Sequence, residues 1–290
     1  MPSKNLEPGQ FQIGNLVMGY YTMYSIERFD IGNYDVNVQD SQAQASNFIR
    51  FGQDTLKPAP VQLTINFRKN RQMANVSALL KDPVVLNFDN DPGLGDLQRE
   101  WRAEDVMLEW GATKPLYFCG SDGITRMFFG RPGKLAYQLQ RVVDSLYYQC
   151  QAEFRRLDTF AYSETEWYHR FELNEPETLT LTRGNAPSWV RFLIQGPAKH
   201  PIINFGYHQL ELDYDIPEGE IVEISSYPWS RRAVTSAGNS VAAYLIGEDP
   251  YLEHVRFNDH EAKEISWNAT DTNENTSMVL LWHDAYQILE

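Results

Sequence analysis

Much of the chain alternates apolar and polar residues with a period of two, the pattern of strands half buried in an antiparallel sheet. In VQLTINF, Val61, Leu63, Ile65 and Phe67 fall on one face and Gln62, Thr64 and Asn66 on the other. Pro58-Ala-Pro60 before this run and the polar RKNRQ after it bound the strand. PLYFCG and TRMFFGRP predict a hairpin about Gly120-Ser-Asp-Gly123, because Asp-Gly readily takes the positive dihedrals of a tight turn. A long strand, or a bent pair, is predicted from Ser145 to Phe160.

One stretch has a helical period instead. DNDPGLGDLQREWRAED offers Asp91 as an N-cap and Pro92 in the first turn, and it sets Leu94, Leu97 and Trp101 on one side. A helix over Asp91 to Glu104 should therefore lie across a sheet with Trp101 as its anchor, although Gly93 and Gly95 weaken its first turn. MANVSALL, from Met73, is a second and shorter helical attempt that cannot run past Pro83.

A polar Asn-Glu-Pro-Glu within FELNEPETLTL interrupts two alternating runs and marks the expected domain boundary, giving domains of 1–172 and 173–290. Beyond it the runs ETLTLT, WVRFLIQG, YHQLELDYDI, EIVEISS, AVTSAGNSVAAYLI, LEHVRF, KEISWNAT and SMVLLWHDAYQI read as short strands. Turns fall at Pro217-Glu-Gly219 and Gly238-Asn239. The fold class is mainly β: an N-terminal sheet domain with one packed helix, then a sandwich or jelly-roll. RGNAPSWVRFLIQGPAKHP reads as turn, strand, turn, with Val190, Phe192 and Ile194 toward the core and Gly196-Pro197 stopping the strand.

Composition narrows the partners. The 290 residues carry 39 acidic and 25 basic side chains, a net charge of -14 that disfavours a nucleic-acid duplex or an anionic membrane as the main partner. The short basic runs at Arg68 to Arg71 and Arg155-Arg156 read as solvated or salt-bridged strand ends. No secretory leader or membrane-length apolar run is present, so synthesis in the cytoplasm is expected. Two cysteines, Cys119 and Cys150, sit among aromatic residues and read as buried thiols.

No catalytic motif appears: G-x-G-x-x-G, the P-loop, H-E-x-x-H and G-x-S-x-G are all missing. We expect no catalytic, cofactor-binding or metal-ligating residues. Of six histidines, His254 and His260 flank VRFND closely enough to weigh as a metal or acid-base pair, against a structural role. Glu211, Asp213 and Asp215 alternate along one strand about 7 Å apart. They could bind calcium, supply glycosidase acids such as Asp213 with Glu218, or face water while Leu212, Tyr214 and Ile216 face the core; the alternation favours water. Tyr227 and Trp229, in a turn beside Arg231-Arg232, are the aromatic residues expected to be exposed and weighed for sugar stacking, whereas Trp282 is expected in the core.

In combination, FFGRPGKL from Phe128, EFRRLDTFAYSE from Glu153, GNAPSWVRFLIQGPAKHP, PEGEIVEISSYPWSRRAV from Pro217 and the closing WHDAY resemble the distal tail proteins, or minor tail proteins, of long non-contractile-tailed bacteriophages. That resemblance implies a homohexameric ring built by the N-terminal domain and a galectin-like second domain, in a structural protein at the distal end of the virion tail. It implies as partners the major tail tube protein, a baseplate hub or tail-associated lysin, and a tape measure or receptor-binding protein, with DNA passing through the lumen and no membrane contact. A second domain that recognises host-wall glycan is the alternative. A ring subunit must cover its strand edges against a neighbour, and GNLVMGYYTMYSIERFDIG from Gly14 is the segment expected to do so.

Overall fold

The computed structural model describes residues 5–32, 35–42, 49–50, 52, 55–68, 92–142, 145–258 and 260–287. The helical attempt from Met73, the Asp91 cap and most of the Arg68 to Arg71 run lie outside them. The chain is mainly β and divides into two compact units, Met1–Thr159 and Phe160–Leu289.

The first unit contains β1 (Gln10–Ile13), β2 (Leu16–Gly19), β3 (Ser25–Ile31), β4 (Asp35–Asn37), β5 (Ser41–Gln42), β6 (Ile49–Arg50), β7 (Thr55–Lys57) and β8 (Val61–Arg68). Helix α1 (Pro92–Arg102), the single turn α2 (Glu104–Met107), β9 (Lys114–Cys119), β10 (Thr125–Val142) and β11 (Ser145–Arg156) follow. The strands pair antiparallel in the order β2-β1-β9-β10-β11-β8-β3. β10 is long enough to serve two sets of partners, its first part with β9 and the rest with β11. The register slips between Pro132 and Leu135, inside FFGRPGKL, where proline has no N–H for the ladder.

The core side of this sheet is as the alternation predicts: Val61, Leu63, Ile65 and Phe67 are all buried. Aromatic rings join the strands. Phe11 lies 4.5 Å from Phe29, Phe118 stacks on Phe128 at 5.0 Å, and Phe67 stacks on Tyr148 at 5.0 Å. Helix α1 buries Leu94, Leu97 and Trp101, the three residues picked out by spacing, and Trp101 Nε1 donates to the Glu153 carbonyl on β11 at 3.2 Å. The helix ends before Glu104, because Ala103 takes a left-handed conformation (φ 46°) and starts a new turn.

Among the described residues β4 pairs with β7 and β5 with β6, so the segment between β3 and β8 holds two antiparallel pairings, a two-stranded ribbon apart from the main sheet. Its base is tied by Arg156, whose Nε and Nη2 donate to the carbonyls of Ala59 and Gly32 at 2.7 and 2.8 Å. Arg156 is thus an anchor for backbone carbonyls and not the solvated strand end expected of it.

The second unit is a two-sheet sandwich made of β12 (Ala161–Phe171), β13 (Glu177–Thr180), β14 (Ser188–Gln195), β15 (Lys199–Phe205), β16 (His208–Leu212), β17 (Ile221–Ser225), β18 (Arg232–Thr235), β19 (Leu245–Ile246), β20 (Arg256–Phe257), β21 (Ala262–Thr270) and β22 (Ser277–Tyr286). One sheet runs β18-β17-β14-β22-β12 and the other β13-β21-β15-β16-β19. Between them lie Phe171, Val190, Phe192, Ile194, Phe205, Leu212, Phe257, Trp267 and Leu280. Trp282 is only half buried and packs against this core from its margin.

Three sequence expectations need correction here. The units divide at Thr159, not after residue 172, because β12 is hydrogen-bonded along its length to the last strand, β22. β15 was not expected, since Lys199-His-Pro reads as a turn; Pro201 falls where the β15–β21 register is irregular and no ladder donor is needed. AVTSAGNSVAAYLI turns at Gly238 (φ 84°) as expected, but beyond that turn a 3-10 turn at Ala242–Tyr244, and not a strand, leads into the short β19.

Candidate functional site

Three groups of side chains stand out, one on the second unit's larger sheet, one on its smaller sheet and one on the first unit's surface. On the larger sheet, antiparallel register sets Glu166 opposite His283, Leu193 opposite Glu223, and Ser225 opposite Arg232. Arg191, on β14 between them, bridges the two acids. Its Nη2 donates to Glu166 Oε2 at 2.6 Å and its Nη1 reaches Glu223 Oε2 at 3.5 Å, while Arg232 Nε donates to Glu223 Oε1 at 2.9 Å. Charges of alternating sign from four strands therefore span the five from β12 to β18, a cross-strand tie that passes over β22.

Tyr227 completes the group. It is 4% exposed, and burial first, then the Glu166 charge, push its phenol well above the ordinary value. Its hydroxyl donates to Glu166 Oε1 at 2.9 Å. Trp229 stacks on it at 4.8 Å and meets Tyr162 edge-on at 4.6 Å. The expectation that Tyr227 is exposed is therefore wrong, because the turn folds back onto the sheet where a carboxylate waits for the hydroxyl. Burial also holds His283 below its ordinary value, so the ring is neutral at neutral pH and its Nδ1–H donates to the Ser163 carbonyl at 2.8 Å.

On the smaller sheet the acidic row behaves as the alternation predicts, with Leu212 and Ile216 buried and Tyr214 packed on the core. What sequence missed is the histidine between the acids. His200, in a left-handed conformation (φ 52°), sets Nε2 on Glu211 Oε1 and Nδ1 3.3 Å from Asp213 Oδ1. Asp213 is thus engaged with His200, while Glu218 accepts from Asn273 Nδ2 at 3.4 Å in an exposed turn. Each carboxylate of the suggested glycosidase pair has its own partner. His254 likewise pairs with Asp249 at 3.1 Å, and the second histidine on that carboxylate is His208, at 3.0 Å. Among the described residues no three histidines, cysteines or acids are arranged to hold a metal ion.

The hydrogen bond that His200 donates to Glu211 is the main cause that raises it above the usual 6.5. A raised histidine stabilises the fold fully below its unfolded value, and that contribution disappears as pH climbs through the folded one. His200→Gln should therefore lower the thermal midpoint near about pH 5 and have little effect in alkaline buffer. An equal loss across the whole range would show that the pairing carries no charge.

Trp189, at the start of β14, is buried, donates from Nε1 to the Glu253 carbonyl at 3.2 Å and carries the Arg256 guanidinium 5.3 Å above its ring. Cys119 and Cys150 are free and buried, and burial pushes the Cys150 thiol up to about 11.

Three groups of exposed apolar side chains stand out on the first unit, besides Ile124, Leu157 and the pair Tyr137 and Leu139 on β10. Tyr20, Tyr21 and Met23 project from the β2–β3 loop, with Tyr21 94% exposed. Leu108 and Trp110, after α2, are 92% and 101% exposed. On the ribbon, Val36 is registered with Leu56, so the two share one face, and both are exposed, as is Val38 just past β4. A two-stranded ribbon is marginal in water by itself, and clustered exposed apolar groups mark contact surfaces. The segment from Gly14 splits accordingly: Leu16, Met18 and Tyr24 are core, and the aromatic loop between them is surface.

No family model and no curated protein matches the sequence. Solved structures do match the fold. The SPP1 Dit protein, described as a paradigm of the hub adsorption apparatus in phages infecting Gram-positive hosts, aligns with a TM-score of 0.60 at 10% identity, over 95% of this chain and 98% of that one. A chain of the phage P2 baseplate in its activated conformation with Ca aligns with a TM-score of 0.49 at 6% identity, over 96% of this chain and 99% of that one. The fold of this chain is that of the SPP1 Dit protein, and it fits the phage distal tail proteins that the sequence resembles.

Proposed function

We propose that the chain is a structural subunit of a phage tail tip: copies close through the first unit into a hexameric ring that continues the tail tube, and the second unit meets baseplate components. The observation that carries this reading is the end-to-end match to the SPP1 Dit fold, which takes in nearly all of both chains. The exposed tyrosine loop, Trp110 and the apolar ribbon face support it, since a ring subunit needs surfaces that a neighbour will cover. The ring would sit at the distal end of the virion tail, with its bore open to passing DNA.

Glycan recognition by the second unit gains nothing from Tyr227 and Trp229, which are packed among Tyr162, Glu166 and His283. Native mass spectrometry of the purified chain tests the ring. A dominant species of six 33.5 kDa subunits is expected. A strict monomer at high concentration, unchanged when tail partners are added, would overturn the proposal.

A further inference from the structure

The loop between β2 and β3 holds one side chain out from the fold. Tyr21 is 94% exposed and takes a left-handed conformation (φ 60°), which a bulky residue rarely adopts. The turn around it is closed on both sides. Gly19 N–H donates to the Tyr24 carbonyl at 2.7 Å, Thr22 Oγ1 donates to the Gly19 carbonyl at 2.8 Å, and Tyr24 N–H donates to Thr22 Oγ1 at 3.2 Å. Tyr24, itself buried, fixes the base of the loop to the start of α1 by donating from its hydroxyl to the Gly93 carbonyl at 2.8 Å. A turn so held has little freedom left to lose on binding.

Near the other end of α1 the sheet is left partly uncovered. Trp101 is sealed beneath the helix, but β10 runs on, and by period two Leu135, Tyr137 and Leu139 share one face of the strand. Tyr137 and Leu139 are 50% and 42% exposed. Trp101, Leu135, Tyr137 and Met107 of α2 border a cleft of about 400 Å³. Its two charged residues, Arg102 and Glu104, lie 4.0 Å apart and offset each other. Apolar walls without net charge suit an uncharged aromatic group.

Charge selects the insert. No charged residue occurs from Gln10 to Ile26, a run that includes the whole loop. Other exposed apolar groups of the first unit have charged neighbours: Leu108 and Trp110 flank Glu109, and Leu56 adjoins Lys57. Gly93 and Trp101 are separated by about 12 Å along the helix axis. With Tyr21 almost fully exposed, the loop does not fill the cleft of its own copy.

We propose that the Tyr21 turn of one copy seats in the cleft between α1, α2 and β10 of the next. The inference rests on the ring reading and names the contact that gives the ring its direction. A projection toward one end of a helix and a socket toward the other make a head-to-tail contact, which repeats from copy to copy until the rotation closes it.

A Tyr21→Cys, Met107→Cys double variant tests the contact, and the buried Cys119 and Cys150 leave little background. A short bis-maleimide added to assembled rings should link neighbouring copies into a ladder that ends at six, while either single variant stays unlinked. A monofunctional maleimide on the single variants confirms that each thiol reacts. Rings that give no ladder overturn the contact and leave the ring reading standing. Linked pairs in Tyr21→Cys alone overturn it too, since like turns would then meet. Two further variants leave the cleft intact. Tyr21→Phe should assemble as the wild type does. Tyr21→Asp suits the left-handed turn, so its thermal midpoint should hold, but it places a charge in an uncharged cleft and should need at least ~10-fold more protein to form rings. Unchanged assembly of Tyr21→Asp would overturn the proposal. Failure of the wild-type chain to form any ring is a different result, which removes the ring reading and this inference with it.

Discussion

Trp267→Ala should destabilise the second unit by roughly 3–5 kcal/mol, the range for deleting a large buried aromatic side chain. Trp267 is 1% exposed on β21, and its Nε1 donates to the Phe171 carbonyl at 3.1 Å. Phe171 closes β12 in the opposite sheet, so one indole fills the space between the sheets and also joins them. Alanine would leave a cavity among Phe171, Ile203 and Ile265 and strand a buried carbonyl. Trp267→Phe separates these effects: most of the volume stays, and the loss falls to about 1–3 kcal/mol for the unsatisfied acceptor. Urea unfolding followed by far-ultraviolet circular dichroism would measure both. A loss under about 1 kcal/mol for alanine would mean the core closes around the gap.

Trp101→Ala should cost the first unit a similar amount, about 3–5 kcal/mol. The residue is 2% exposed, anchors α1 beside Leu94 and Leu97, and donates to the Glu153 carbonyl across the sheet. An eleven-residue helix with two glycines near its start has little stability of its own, so it depends on this contact. Loss of Trp101 should therefore expose the helix segment to limited proteolysis before the sheet itself unfolds. An intact proteolysis pattern in Trp101→Ala would show that Leu94 and Leu97 suffice to hold it.

Both tryptophans differ in how far sequence could lead to them. Trp101 was legible, because Leu94, Leu97 and Trp101 repeat at helical spacing and a helix needs no distant partner to reveal its inner side. The alternating strands were legible for the same reason; Val61 to Phe67 and Val190 to Ile194 show their buried faces in their own spelling. Trp267 lies in a readable strand, but its carbonyl partner is at Phe171, and no local pattern connects the two.

The same limit explains the misreadings. Tyr227 sits among turn residues, and only the fold reveals that Glu166 lies within reach of its hydroxyl. His200 gave no sign of its carboxylates until β15 was paired with β16, and Pro201 hid β15. The domain boundary moved because β12 belongs by hydrogen bonding to a strand more than a hundred residues later.

The exposed apolar groups connect these residues to the proposed role. Tyr21 and Trp110 are nearly as accessible as in an extended chain, and the apolar face of the ribbon has no third strand against it among the described residues. Such surfaces lower the free energy of association when a neighbour covers them, and a closed ring covers them on every copy at once.

Negative-stain electron microscopy of the purified chain tests the central claim most directly. The account predicts closed rings with six-fold symmetry and a stain-filled central hole. Particles that stay single at every concentration, or that join into open filaments with no hole, would contradict it.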